Sequence, residues 1–282
     1  MNAARTAFLM AVLTVMLVGL GSLIGGRSGA FFALAVAAVM NFIGYWASDR
    51  IALGMHRARP LAPGEDPELE GIVRELAQRA GIPMPRLYSI PTPSPNAFAT
   101  GRDPAHAAVA VTEGARQLLS REEMRAVIAH ELGHVVHRDI LTASIAATLA
   151  GAITMLARFA GYAAIFGGGG RDRRGGGLGA IFMMILAPIA AMLVQMAVSR
   201  SREFAADEKS ARLTGNPLAL VSALRKLEAY SKQIPLPTSP SAAHMFIVNP
   251  LRGGFATLFS THPSTEARIE RLETMAHVVR AS

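Results

Sequence analysis

Three side chains within five residues can act as one chemical unit. His130-Glu131-Leu132-Gly133-His134 sets two imidazoles four residues apart. On a helix, residues i and i+4 share a face, so both rings can reach a single ion. Glu131 projects beside that face, where its carboxylate can take a proton from an ion-activated water. In a chain with 8 His among 282 residues, H-E-x-x-H arises by chance on the order of 0.01 times. The competing reading is a helix surface that happens to carry two histidines. A hydrolytic zinc site takes three protein ligands and keeps one position for water. The third ligand could be His137, His244, His262 or an acid of Glu203-Phe204-Ala205-Ala206-Asp207. His137 shares the helical face but lies a turn nearer the following apolar run, and reads more naturally as an interfacial residue. Glu203 and Asp207 are again i and i+4, so one can ligate while the other hydrogen-bonds a ligand imidazole. Taken alone, that acidic pair reads as a solvated helix face.

The elements that must hold these groups announce themselves. Ser120-Arg121-Glu122-Glu123 is a capping-box pattern, and it opens a helix leading into His130. Before it, residues 68–80 read as a helix closed by Gly81, and residues 86–90, 96–100 and 107–112 as strands joined by Pro- and Gly-containing turns. After residue 200, Asn216-Pro217 opens a helix running to about Tyr230, and a last helix starts near Ser264. Before this polar framework and between its halves lie very apolar stretches. Residues 6–26 and 28–48 carry no charge and are separated by Arg27 in a Gly-rich turn. Residues 140–157 and 175–199 are also uncharged, with a Gly/Arg low-complexity loop at 167–177 between them. About 20 apolar residues cross a bilayer as a helix, so each run qualifies. Pro188 predicts a kink in the fourth.

Composition agrees. The chain is 51% hydrophobic and 17% charged, against roughly 25% charged in soluble chains. Disorder is excluded by this balance. With no cysteine, disulfides, thiol nucleophiles, Fe–S clusters and Cys-ligated zinc are excluded too. The net charge of +8 sits mostly beside the apolar runs and forms no basic stripe with interleaved aromatics, so no nucleic-acid partner is expected. The chain therefore divides into a hairpin of two transmembrane helices (1–48), a first part of the catalytic domain (49–139), a second transmembrane hairpin (140–199) and a second part (200–282). Two hairpins leave both polar parts on one side. Arg5, Arg50, Arg57, Arg59, Arg138, Arg200 and Arg202 flank that side and Arg27, Arg171, Arg173 and Arg174 the other, which favours a cytosolic face for the polar parts.

The chain as a whole resembles the HtpX-type membrane-bound zinc metalloproteases of peptidase family M48, whose signature is H-E-x-x-H followed, after a membrane hairpin, by E-x-x-x-D. The resemblance is carried by the paired N-terminal spans, residues 96–102 and 107–112, His130 to Asp139, Ser201-Arg202-Glu203-Phe204-Ala205-Ala206-Asp207, Gly215-Asn216-Pro217, Thr261-His262-Pro263 and Arg268. It implies an α-helical integral membrane protein of about four spans, with an α+β zincin-like protease domain carrying a small antiparallel sheet. It implies one zinc ion on His130, His134 and Glu203, Glu131 as catalytic base, and Asp207 orienting a ligand histidine. His262 would face the substrate carbonyl and steady the oxyanion; read from its surroundings alone, it serves equally as a cap near the last helix. Arg268 would pair with Asp207 or Glu203, or be solvated. Asn96 and Phe98 would lie on the edge strand that receives the peptide. The implied setting is a bacterial inner membrane, multi-pass, with the protease domain facing the cytosol, and misfolded or damaged membrane proteins as substrates in quality control and stress response. Two other readings compete. A catalytically inactive zinc-binding membrane adaptor has no use for Glu131 and would want four closed ligands. The prenyl-protein endopeptidase branch of the same family has more spans and a large intramembrane chamber.

Overall fold

The computed structural model describes residues 2–145, 200–231, 233, 246–247 and 263–281. Most of the expected second hairpin, the 167–177 loop, His244 and His262 lie outside these residues. The first helical element, α1, covers Asn2–Met55. It is not one rod. Gly26 takes φ +59, a left-handed conformation open to glycine, and the chain folds back there. Asn41 Nδ2 donates to Thr14 Oγ1 at 2.9 Å and to Met10 O at 3.4 Å, although a straight helix would hold residues 14 and 41 about 40 Å apart. The two arms approach so closely near the bend that a Cβ on Gly29 would lie 2.2 Å from the Gly21 carbonyl oxygen. The second arm, Gly26–Met55, is 30 residues long and apolar, roughly 45 Å against a hydrocarbon core of about 30 Å. Among the described residues it is the one helix long and apolar enough to cross a membrane; the apolar part of the first arm, Thr6–Gly19, is shorter. Phe31, Phe32, Phe42 and Trp46 point outward from the second arm, as lipid-facing side chains would.

The polar framework follows as β1 (Arg59–Pro60), α2 (Pro67–Ala80), β2 (Arg86–Ile90), β3 (Ala97–Thr100), β4 (Ala108–Thr112), α3 (Glu113–Leu118), α4 (Arg121–Val136), α5 (Arg200–Thr214), α6 (Pro217–Ser231) and α7 (Thr265–Ala281). α2 starts at the Asp66 cap and stops at Gly81, which takes φ 69. The sheet runs β1-β2-β4-β3 and is mixed, which corrects the expected antiparallel sheet. β2 pairs with β4 in parallel, while β1–β2 and β3–β4 are antiparallel. The reason lies in the Pro91-Thr92-Pro93-Ser94-Pro95 link, whose prolines offer no N–H to zip β3 against β2 in a tight hairpin. That link instead crosses the end of β4, where Gly114 N donates to Thr92 O and a Cβ on Gly114 would lie 2.0 Å from Pro93 O. β4 then inserts between β2 and β3.

One face of the sheet, with Ala97, Ala99, Val109 and Val111, joins Leu69, Ile72 and Leu76 of α2 and the apolar residues of α4 and α6 in the main core. The other face, with Phe98, Ala108 and Ala110, packs on Ala52 and Leu53 from the end of α1 and on Phe246. The membrane helix is thereby joined to the back of the edge strand.

Candidate metal centre

α4 is fixed at its start by a complete capping box between Ser120 and Glu123. Glu123 also accepts from Ser222 Oγ at 2.6 Å and pairs with Lys226 Nζ at 2.7 Å, tying α6 to the same end. α5 crosses α4 where Gly133 faces Ala206, so closely that a Cβ on Gly133 would stand 3.0 Å from Ala206 Cα. Ser210 Oγ donates to Ala126 O at 2.7 Å, one to two turns away. This crossing carries Glu203 and Asp207, which flank Ala206, onto the histidines.

The structure brings His130, His134 and Glu203 into one cluster whose donor atoms lie within 4.8 Å of one another, and it is the group of this kind found among the described residues. The two Nε2 atoms are 3.2 Å apart, with the rings nearly perpendicular at 87°. Glu203 Oε1 is 3.5 Å from His134 Nε2 and Oε2 is 3.7 Å from His130 Nε2. Tetrahedral ligands about 2.0–2.1 Å from a zinc ion stand about 3.3–3.4 Å apart. The two-imidazole, one-carboxylate set therefore fits such an ion, with a position left for water.

Each imidazole of the cluster is held from behind. Asp207 Oδ1 accepts from His130 Nδ1 at 2.9 Å, which keeps the proton on Nδ1 and leaves Nε2 as the donor to a metal. Arg268, 2% exposed on α7, grips Asp207 with Nη2 to Oδ1 at 2.6 Å and Nε to Oδ2 at 2.9 Å, and donates through Nη1 to Ile247 O at 2.9 Å. Asp139 Oδ2 lies 3.3 Å from His134 Nδ1. Asp139 is the functional candidate that sequence reasoning passed over: nothing in the chain pattern told it apart from an ordinary helix cap. His137 stands exposed at the end of α4, outside the cluster.

Glu131 is 2% exposed and its Oε2 accepts from Ala99 N at 2.8 Å. Asn96 O accepts from Thr112 N, and alternation along an antiparallel pair turns the backbone of Asn96 and Phe98 toward β4 and that of Ala97 and Ala99 outward. The outward-facing backbone is thus that of Ala97 and Ala99, one residue from the pair singled out in the sequence, and β3 is buried along its length. Ala97 O already accepts from Ile247 N at 3.3 Å, and the Phe98 ring lies on the opposite face of the sheet, against His56 and Phe246.

The protein's own charges order the protons of this site. Burial and the Arg268 guanidinium hold His130 down to about 4. Burial also works against a charged His134, but Glu203, Asp139 and Glu131 outweigh it and push that imidazole up to about 9. Burial, with the Glu203 charge adding to it, pushes Glu131 up to about 8. Asp207 falls to about 2, because Arg268 outweighs the burial that would raise it.

The model of peptidase family M48 matches residues 63–276. This chain belongs to peptidase family M48. A "Protease HtpX homolog" of Syntrophotalea carbinolica is 57% identical over 98% of this chain and 99% of its own length. Another from Thermococcus kodakarensis is 56% identical over 96% and 95%, and one from Pyrococcus furiosus is 54% identical over 96% and 95%. The crystal structure of S. mikatae Ste24p matches with a TM-score of 0.51 at 18% identity, covering 96% of this chain. This chain spans 65% of that protein's length, and the likeness is one of fold.

Proposed function

We propose that this membrane metallopeptidase is a zinc endopeptidase that cuts unfolded segments of membrane proteins, with the ion on His130, His134 and Glu203 and Glu131 as general base. The observation that carries the reading is convergence: two Nε2 atoms 3.2 Å apart meet the Glu203 carboxylate, and the buried Glu131 carboxylate sits between them and the outward N–H of Ala99. A zinc ion there would polarise the scissile carbonyl and lower the pKa of water. Glu131 accepts the proton of the attacking water at a carboxylate oxygen and delivers it to the leaving amine as the C–N bond breaks. Asp207, itself locked by Arg268, acts through His130 by fixing its tautomer. The outward edge of β3 at Ala99 would receive the substrate as an added strand, the Ala99 N–H exchanging its bond to Glu131 for one to the peptide. His262 is retained as a stabiliser of the developing oxyanion.

The polar parts 49–139 and 200–282 would form one protease domain on the cytosolic side of a bacterial inner membrane, interrupted by the hairpin of 140–199. The apolar second arm of α1 and the excess of arginines on one flank support that placement.

The test uses purified, detergent-solubilised protein and a loosely folded substrate such as casein. Glu131→Gln keeps the shape and all three ligands, so it should retain one zinc per chain and lose at least about 10²-fold in turnover, the low end of what a positioned general base supplies. Unchanged turnover would remove Glu131 from its role. Absence of stoichiometric zinc in the wild type would remove the metal.

A further inference from the structure

Asp139 is 4% exposed and stands at the junction between α4 and the helical residues 140–145. The chain reaches this position by an unusual step. Arg138 takes φ 56, a left-handed conformation disfavoured for a residue with a side chain, and no glycine is there to ease it. His137 N bonds to Gly133 O at 3.0 Å and Asp139 N bonds back to His134 O at 3.2 Å, the wide closing bond of a Schellman helix end. The turn folds Asp139 over the final turn of α4 and onto the His134 ring. Asp139 also starts the next helix, since Ala143 N donates to its carbonyl at 3.0 Å. An aspartate in that place ordinarily turns its carboxylate on its own helix, accepting from an N–H two or three residues on. Asp66 does so with Leu69 N at 3.2 Å and Asp103 with His106 N at 2.9 Å. Asp139 does not. Its Oδ2 faces His134 Nδ1 at 3.3 Å, and its buried Oδ1 has no partner among the described residues.

We propose that Asp139 is a positioning residue for the metal: it holds His134 through Nδ1 and so presents Nε2 to the ion, as Asp207 does for His130. The inference rests on the metallopeptidase reading of the site. It makes the support of the two ligands unequal in origin. Asp207 is braced by Arg268 from α7, whereas Asp139 stands immediately before the helical residues 140–145 that lead toward the apolar stretch. The backbone turn at Arg138 gives up a favourable conformation and the new helix gives up its side-chain cap. The partner gained in return is the ligand histidine.

The test uses the full-length protein in detergent, zinc affinity by competition with a chromophoric chelator, and the visible spectrum of the cobalt-substituted protein. Asp139→Ser keeps a favoured helix cap but is too short to reach the imidazole. Asp139→Asn keeps an oxygen acceptor at the same reach. Loss of an outer partner of a ligand histidine costs roughly 10–100-fold in metal affinity, so D139S should lose about that much and alter the cobalt spectrum. D139N should lose about threefold to tenfold, part of the charge-assisted bond being kept. The thermal transition of each chelator-treated variant, compared with wild type, checks that the fold is intact. Zinc affinity of D139S within twofold of wild type with an unchanged cobalt spectrum overturns the proposal, and so does an equal loss in both variants. Should D139S fail to fold, D139N decides alone, and affinity within twofold of wild type overturns it. A wild type that binds no zinc would instead sink the metallopeptidase reading itself.

Discussion

After chelation of any metal, His134 holds a proton up to about pH 9 against its ordinary 6.5, and Glu131 up to about pH 8 against its ordinary 4.5. Both values are raised, so the folded chain binds more protons than the unfolded one across this range, and stability falls as pH rises through it. The two windows overlap between 6.5 and 8, where the fall is steepest. His130, lowered to about 4, works in the opposite direction but only below its ordinary 6.5. The chelator-treated protein should therefore lose thermal stability steadily between pH 6.5 and 9, as followed by scanning calorimetry. Saturating zinc should flatten or reverse that slope, because ligation takes the place of the His134 proton. An apoprotein whose melting temperature rises with pH over this interval would contradict the charge order described for the site. That His130 and His134 share one face was legible from spacing alone, since only a helix makes i and i+4 neighbours. Asp139 was not, because its reach to His134 depends on a left-handed Arg138 that no glycine or asparagine signals.

At the scale of elements, the site is a crossing of two helices, and its tightest point is Gly133 on Ala206. Gly133→Ala sets two effects against each other. In a helix interior alanine is favoured over glycine by about 1 kcal/mol, but the new methyl would press on the backbone of α5 rather than on a movable side chain. Overpacking of this kind costs roughly 1–3 kcal/mol, and the neighbours of Ala206 are Glu203 and Asp207 a turn apart. The expected outcome is a net loss of stability together with weaker zinc binding, read by thermal unfolding and chelator competition. A stabilised variant with unchanged zinc affinity would show that α5 yields freely. Local signals made much of this framework readable: the Ser120 box, the Gly81 stop and the Asn216-Pro217 start all mark helix ends. Strand positions were readable from alternation and turn residues. Strand direction was not, because a parallel partner is chosen by how a Pro-rich link is routed, and periodicity carries no information on that.

At the scale of the molecule, α4 and α5 are 63 residues apart in sequence between Val136 and Arg200 and packed together in space. A shared ion then requires both to face one aqueous compartment. Reporter fusions after residues 60 and 231 should both report the cytosolic side, and a fusion near residue 172 the opposite side. Fusions at 60 and 231 reporting opposite sides would be incompatible with the cluster of His130, His134 and Glu203. The apolar runs were visible as candidate spans from composition. The way α1 returns at Gly26 and docks Ala52 and Leu53 behind Phe98 was not, since those contacts are set by shape rather than by pattern.

The β3 edge has a consequence for what can be cut. Ile247 already bonds to it at Ala97 and Glu131 to the N–H of Ala99, so on the proposed reading an arriving polypeptide would have a short stretch around Ala99 on which to dock, and would take over that N–H from Glu131. Docking there takes main-chain amides and carbonyls with no other engagement, and a helix or a paired strand has spent its own. On the proposed reading, intact neighbours in the bilayer would thereby be exempt without being inspected for sequence, and a client would qualify by having come apart.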